Sequence, residues 1–186
     1  MIQTRFATVR DLFETFPSAP ADVGPADDRL SSLDFLRDLV KRQQWQPAIS
    51  FCAYLLPRRA AVAWACRSLR GMISAPTAEE QRLLEFVEAW VADPEEHQRR
   101  KVLAAGTVGD PRSPATWAAL AAGWSGGSIV PEELGRVPAN PEQTAKAVRV
   151  SLFIALSRLE GEVKQRIMTA CLQDGIQLAG AAGAPR

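Results

Sequence analysis

The sequence predicts an all-α protein, a compact bundle of about eight or nine helices. No run of β-branched and aromatic residues alternates with polar residues over the length of a strand. Residues that begin or end helices recur along the chain, and the apolar residues between them return at helical spacing. The connections are short, which favours antiparallel helix pairs, packed either as a bundle or as a HEAT-like stack. Because no repeat of about 30 to 47 residues is visible, we prefer the bundle.

Four helices are predicted in the first 71 residues. Each lies between a residue that can open a helix and one that ends it, such as Thr8 before the first helix and Pro17 after it. The predicted helices span residues 9–16, 31–44, 47–56 and 57–71. Residues 17–30 contain three prolines, one glycine and three aspartates without apolar periodicity, so they are predicted to form a Pro-rich loop.

Five more helices are predicted in the rest of the chain. Thr77 and Glu80 have the spacing of a capping box, in which each side chain accepts a hydrogen bond from the backbone N–H of the other residue. Asp93 and Ser113 each precede a proline, and a cap followed by proline is typical of a helix start. Three of these helices begin at residues 77, 93 and 113, and the other two span residues 141–159 and 161–178.

The remaining segments define the expected domain organisation. Residues 125–140 carry three glycines and two prolines, and we expect a long irregular loop there. Residues 1–178 are expected to form a single helical domain. Residues 179–186 are mostly small, and we expect them to form a flexible tail.

Two tryptophans and three arginines are predicted to contact a partner. Within the helix predicted over 57–71, Arg59, Arg67 and Arg70 share one face, and Trp64 falls between that face and the apolar stripe. Trp124 enters a glycine-rich turn, so both tryptophans are expected to be exposed. Exposed tryptophan beside arginine is typical of a binding hot spot. We therefore predict one contact patch at Trp64 with the three arginines, and another at Trp124 with the loop that follows.

Charge is unevenly distributed along a chain whose formal net charge is +1. Residues 35–72 contain seven basic residues and one acid, a net charge of +6, whereas residues 77–97 contain seven acids and one arginine, a net charge of −6. These segments can neutralise each other within one molecule, or they can make a dipolar surface that docks a partner or a second copy. The sequence leaves both arrangements open, and with them a homo-oligomer. The near-neutral total argues against binding to nucleic acid.

Residues that serve metal and cofactor chemistry are scarce. The chain has one histidine and three widely spaced cysteines, which we expect to be buried thiols in a reducing compartment. Phosphate-binding glycine loops and calcium-binding loops are missing from the sequence, so we predict no metal and no cofactor. We find no secretory signal and no apolar run of about 20 residues, so we expect a cytoplasmic protein without a membrane span.

Residues 123–127 match the G-x-S-x-G pattern, with Ser125 at its centre. In hydrolases this serine lies between a strand and a helix, and a histidine accepts its proton. Here an alanine-rich helix precedes the pattern, and the single histidine, His97, lies before the serine among charged residues that include Arg99. We therefore interpret the segment as a turn that ends a helix, and keep a serine hydrolase acting through Ser125 as an alternative.

Two stretches of the chain resemble a known family. They comprise residues 35–39, 45–48 and 56–65 in the first half, and residues 113–120 and 123–128 in the second half. In these stretches the chain resembles an uncharacterised family of small helical proteobacterial proteins associated with secretion gene clusters, type VI in particular. The resemblance implies a context in secretion and brings no catalytic residues with it.

These observations predict a non-enzymatic helical interaction module: an adaptor, chaperone or accessory factor in a bacterial secretion pathway. Its partner is expected to be a protein, because amphipathic helices and separated charges are plentiful whereas catalytic groups are scarce. An immunity-type protein that neutralises a toxin is a further alternative.

Overall fold

A computed structural model describes residues 5–130 and 132–181 of the chain. Within these residues the chain forms ten α-helices and one short 3-10 helix, and its only β-type pairings are two isolated bridges. The α-helices are α1 (Val9–Thr15), α2 (Ala19–Val23), α3 (Ser32–Lys41), α4 (Trp45–Leu55), α5 (Arg58–Met72), α6 (Ala78–Ala92), α7 (Glu96–Thr107), α8 (Pro114–Gly123), α9 (Gln143–Ser157) and α10 (Gly161–Ala181). The predicted all-α bundle is confirmed.

One helix more than predicted arises in the Pro-rich segment. Residues 17–30 were predicted to form a loop, but α2 lies inside them, with Pro20 in its first turn. Phe16, Ala19 and Val23 are buried against the core. Five residues are too few to show helical periodicity in the sequence, and tertiary packing stabilises this short helix instead.

Side-chain caps are found at the starts of α1, α3 and α6. Thr8 and Thr77 both form the full capping box, with Asp11 and Glu80 respectively. The predicted cap at Asp93 is wrong, because α7 begins at Glu96 and Glu95 occupies the capping position without a side-chain hydrogen bond. Ser113 does lie at the start of α8, but its hydroxyl donates to Glu80 and accepts no hydrogen bond from the backbone N–H groups of the helix.

The alanine-rich helix α8 lies in the middle of the bundle, packed against α7, α9, α6 and α5. Small residues allow this close packing. A side chain at Gly123 would overlap Leu103 of α7, and one at Gly106 would lie 3.0 Å from the backbone nitrogen of Leu120. Within residues 125–130 and 132–140 the structure has the 3-10 helix Glu132–Leu134 and an isolated bridge between Ser128 and Pro138.

The last helix, α10, covers α3, α4 and α5. Gly175 sits against Trp64 and against the sulfur of Cys52, where a side chain would meet that sulfur at 2.6 Å. The tail predicted from residue 179 therefore starts too early, because α10 continues to Ala181 and Ala179 is buried. Residues 182–186 of that predicted tail lie outside the described residues.

Candidate functional site

The three predicted contact arginines of α5 do lie along one side of that helix, and each is held by an acceptor. Arg59 donates to the carbonyl oxygens of Val91 and Ala92, at the C-terminus of α6, at 2.6–3.2 Å. A cation is favoured there because the last carbonyls of a helix carry partial negative charge. This arginine therefore also fixes the end of α6.

Arg67 and Arg70 form ion pairs with two different helices. Arg70 forms a bidentate ion pair with Glu88 of α6, with N···O distances of 2.7 and 2.9 Å. Arg67 reaches Asp174 of α10 at 3.0 Å, and its side chain remains 55% exposed. The bond to Glu88 raises the pKa of Arg70. Arg67 is thus more accessible than Arg70, whose side chain is 31% exposed.

A groove of about 540 Å³ lies between α5 and α6, and we call it the arginine groove. Ala63, Cys66, Val91 and Ala92 provide its apolar lining. Arg67 and Arg70 line it from α5, and Glu88 lines it from α6. A concave apolar surface edged by cations is a suitable receptor for a segment that carries both apolar and acidic side chains.

Trp64 does not belong to this surface. We expected it to be exposed, but its side chain is fully buried, and its indole N–H donates to the carbonyl oxygen of Cys171 at 2.8 Å. The physical reason is that α10 packs over this side of α5. The sequence of α5 alone could not show that a helix about 100 residues later would cover this face.

Two arginines bind the turn formed by residues 123–128, which we call the glycine turn. Arg58, at the start of α5, donates to the carbonyl oxygen of Ser125 at 3.0 Å. Arg99 of α7 donates to the carbonyl oxygens of Gly123 and Ser128. The two stretches that carried the family resemblance therefore meet in space, joined by Arg58 and Ser125.

Arg99 is the residue that sequence reasoning missed. The sequence places it among the charged residues around His97, a pattern typical of a solvated helix face, but Arg99 is buried. Glu96 neutralises its guanidinium at 2.6 and 2.7 Å, and this hydrogen bond lowers the pKa of the Glu96 carboxyl. A buried arginine requires such full pairing, because an unpaired buried charge is strongly destabilising. The three-residue spacing between Glu96 and Arg99 was the only feature of the sequence that indicated this ion pair.

Ser125 lies directly after the end of α8. Its hydroxyl and its backbone N–H both donate to the carbonyl oxygen of Ala122, at 2.6 and 3.1 Å. His97 is exposed on α7, and no hydrogen bond of the described residues joins it to Ser125. Trp124, expected to be exposed, is partly buried against the core.

A second apolar groove, of about 390 Å³, lies between α7 and the segment after the glycine turn. Leu103, Val108, Ile129 and Val130 are among the residues that line it. Val108, directly after α7, is 81% exposed, and Leu134, in the segment after the glycine turn, is 73% exposed. Large apolar side chains exposed this fully are typical of contact surfaces when they lie together.

The described residues contain no cluster of three or more metal-binding side chains. The three cysteines are buried and unpaired, as expected. Burial raises the pKa of Cys66 to about 12 and that of Cys171 to about 11. In the part of the chain that the structure covers, every helix is too short or too polar to cross a membrane.

Comparison with known proteins gives one match. Residues 35–179, which form most of the chain, match the model of a family described as a family of unknown function (DUF6931). No curated protein and no solved structure matches the chain.

Proposed function

We propose that this chain, which belongs to the DUF6931 family, is a non-enzymatic protein-interaction module that receives a partner segment in the arginine groove. The partner segment carries apolar side chains for the floor of the groove and an acidic side chain for Arg67. The observation that supports this most directly is the groove itself, with an apolar floor and two cations at its α5 edge.

The three arginines have different roles in this proposal. Arg59 and Arg70 hold α6 in place and so keep the groove open. Arg67 is the recognition residue, because its ion pair with Asp174 is solvent-exposed on both sides. An exposed pair of this kind stabilises by only about 0–1 kcal/mol, so a partner carboxylate can replace Asp174 at little cost.

The second apolar groove, which contains Val108, is a further contact area in the same proposal, together with Trp124 of the glycine turn. The exposed side chain of Val108 would lose its contact with water on binding, a change that favours association. The secretion context comes from the resemblance of residues 35–65 and 113–128, and on that basis we propose an adaptor, chaperone or accessory role.

The test is capture of a cross-linked partner from the native host by five forms of the protein. A partner that uses the groove is retained by the wild type and lost with Arg67→Glu, because the new carboxylate repels its acid. The matched control is Arg82→Glu. Arg82 is 53% exposed and paired with Glu79, which resembles the setting of Arg67 on another part of the surface.

The fourth form, Asp174→Asn, distinguishes recognition from nonspecific capture. Because this change frees Arg67 from its intramolecular acid, the same partner should be retained more strongly than by the wild type. Equal recovery with Arg67→Glu and Arg82→Glu would refute the arginine groove as the binding site. Loss with Trp124→Ala alone would move the site to the second surface.

A further inference from the structure

The N-terminal strap, residues 5–31, folds back over the helices that follow it. Its two helices pack mainly against α3 and α4. Phe16, Ala19 and Val23 are buried there, and the ring of Phe16 lies 5.4 Å from that of Tyr54. The strap precedes the region that matches the family model, which begins at residue 35. We call the matched residues, 35–179, the family domain.

The family domain holds one carboxylate of the strap in a prepared site. Asp22 of α2 accepts a hydrogen bond from the hydroxyl of Tyr54 at 2.6 Å and forms an ion pair with Arg149 at 2.7 Å. The Nε of Arg149 is in turn fixed by the hydroxyl of Ser50 at 2.8 Å. Tyr54 and Ser50 are buried on α4, and Arg149 comes from α9.

A second polar anchor lies four residues earlier on the strap. Both the backbone N–H and the hydroxyl of Ser18 donate to the carboxylate of Glu142, at 2.9 and 2.5 Å. Lys146 neutralises the same carboxylate at 3.1 Å. The family domain thus recognises a short helix by one carboxylate, one hydroxyl and the apolar side chains between them.

These contacts determine what can replace the strap. If α2 left its site, the guanidinium of Arg149 and the hydroxyl of Tyr54 would lose the acceptor that they share. A carboxylate of an incoming segment can restore both the ion pair and the hydrogen bond, whereas a neutral side chain cannot restore the ion pair. Asp22 and Arg149 keep 22% and 16% of their side-chain surfaces accessible, so an incoming acid can approach the pair.

We propose that the cleft between α4 and α9 is a binding site for an acidic helical segment of a protein partner, and that Asp22 of the strap is its intramolecular ligand. The partner presents a carboxylate four residues after a hydroxyl, with small apolar side chains between them. The strap competes with it and keeps the site filled until the partner is present. This site is separate from the arginine groove, so either can be refuted without the other.

The test converts the strap into a ligand that can be exchanged. A recognition site for a specific protease is inserted after Pro25, which is exposed between α2 and α3, and the chain is cut while both parts remain present. A fluorescent peptide of residues 5–25 is then added, and fluorescence anisotropy measures its exchange into the cleft. Binding of the wild-type peptide should reach saturation. An Asp22→Asn peptide should bind at least about tenfold more weakly, because it lacks the charge that Arg149 requires.

Two control peptides distinguish specific recognition from nonspecific binding. Glu14→Gln removes another carboxylate of the peptide, one that is exposed on α1, and should leave the affinity unchanged. A peptide with the order of Asp22 and Val23 exchanged has the same composition and should bind weakly. Equal affinity of the Asp22→Asn peptide would overturn the proposal. Unfolding of the protein on cutting would overturn it too, because the strap would then be an integral part of the fold.

Discussion

At the scale of single residues, buried Arg99 explains why the glycine turn has its sequence. The carbonyl oxygens of Gly123 and Ser128 both point at this guanidinium, so the backbone must wrap closely around it. Gly127 takes a left-handed conformation, with φ of 61°, at the point of closest approach. The residues of the apparent hydrolase pattern thus form a turn that wraps around a buried cation.

Gly127→Ala is expected to lower the free energy of unfolding by about 1–3 kcal/mol. A β-carbon there would lie 2.5 Å from the Arg99 guanidinium, and the left-handed backbone conformation adds strain of its own. Gly126→Ala is the matched control, because its β-carbon would meet no atom within 4 Å, and it should change stability by less than about 0.5 kcal/mol. Urea denaturation of both variants measures the difference. Equal stability of the two would contradict the role assigned to the turn.

At the scale of helices, the sequence predicted those elements whose signals are local. Thr8 and Thr77 cap their helices through residues three positions away, so the pattern is visible in a short window. Helix α2 was missed because its anchor, Glu142, lies 124 residues from Ser18. The burial of Trp64 was missed for the same reason, since it depends on Cys171. Contacts between distant segments decide which faces of these helices remain at the surface.

Glu80 joins three helices and gives the bundle a defined dependence on pH. It accepts hydrogen bonds from Thr77 at the start of α6, from Ser113 at the start of α8, and from Arg158 at the end of α9. Burial raises the pKa of its carboxyl, but the hydrogen bonds to Thr77 and Arg158 outweigh burial, so the pKa is lowered overall. A carboxyl whose pKa is lower in the folded state stabilises the protein at neutral pH and loses that contribution in acid.

Glu80→Gln should therefore destabilise the protein by about 1–2 kcal/mol at pH 7, because Arg158 loses its charged acceptor. The difference from the wild type should shrink as the pH falls from about 5, where the carboxyl begins to take up a proton in the unfolded chain, towards 3. Unfolding free energies measured across this range test the prediction. Glu79→Gln, at an exposed pair in the same turn of α6, should show a much smaller effect at pH 7. A difference that stays constant with pH would refute the linkage.

At the scale of the whole molecule, the opposite charges of residues 35–72 and 77–97 meet directly at one ion pair, between Arg70 and Glu88. The other charges of these segments pair elsewhere. Arg42 pairs with Asp38 and Arg82 with Glu79 close in sequence, whereas Arg67 reaches Asp174 of α10. The two segments are thus not matched face to face. The proposed recognition by charge therefore depends on Arg67 at the arginine groove rather than on the two segments as wholes.

The three cysteines report whether the core opens as one unit. They lie on α4, α5 and α10, they are buried, and burial raises the pKa of each thiol, which leaves little reactive thiolate at pH 8. We expect that the three thiols do not react with Ellman's reagent in the folded protein, and that all three react when urea unfolds it. Val108→Cys, placed at a position that is 81% exposed, is the positive control and should react at once. Native-state labelling of Cys171 before the other two would contradict a single cooperative core, because it would mean that α10 separates from α4 and α5 while the rest of the bundle stays folded.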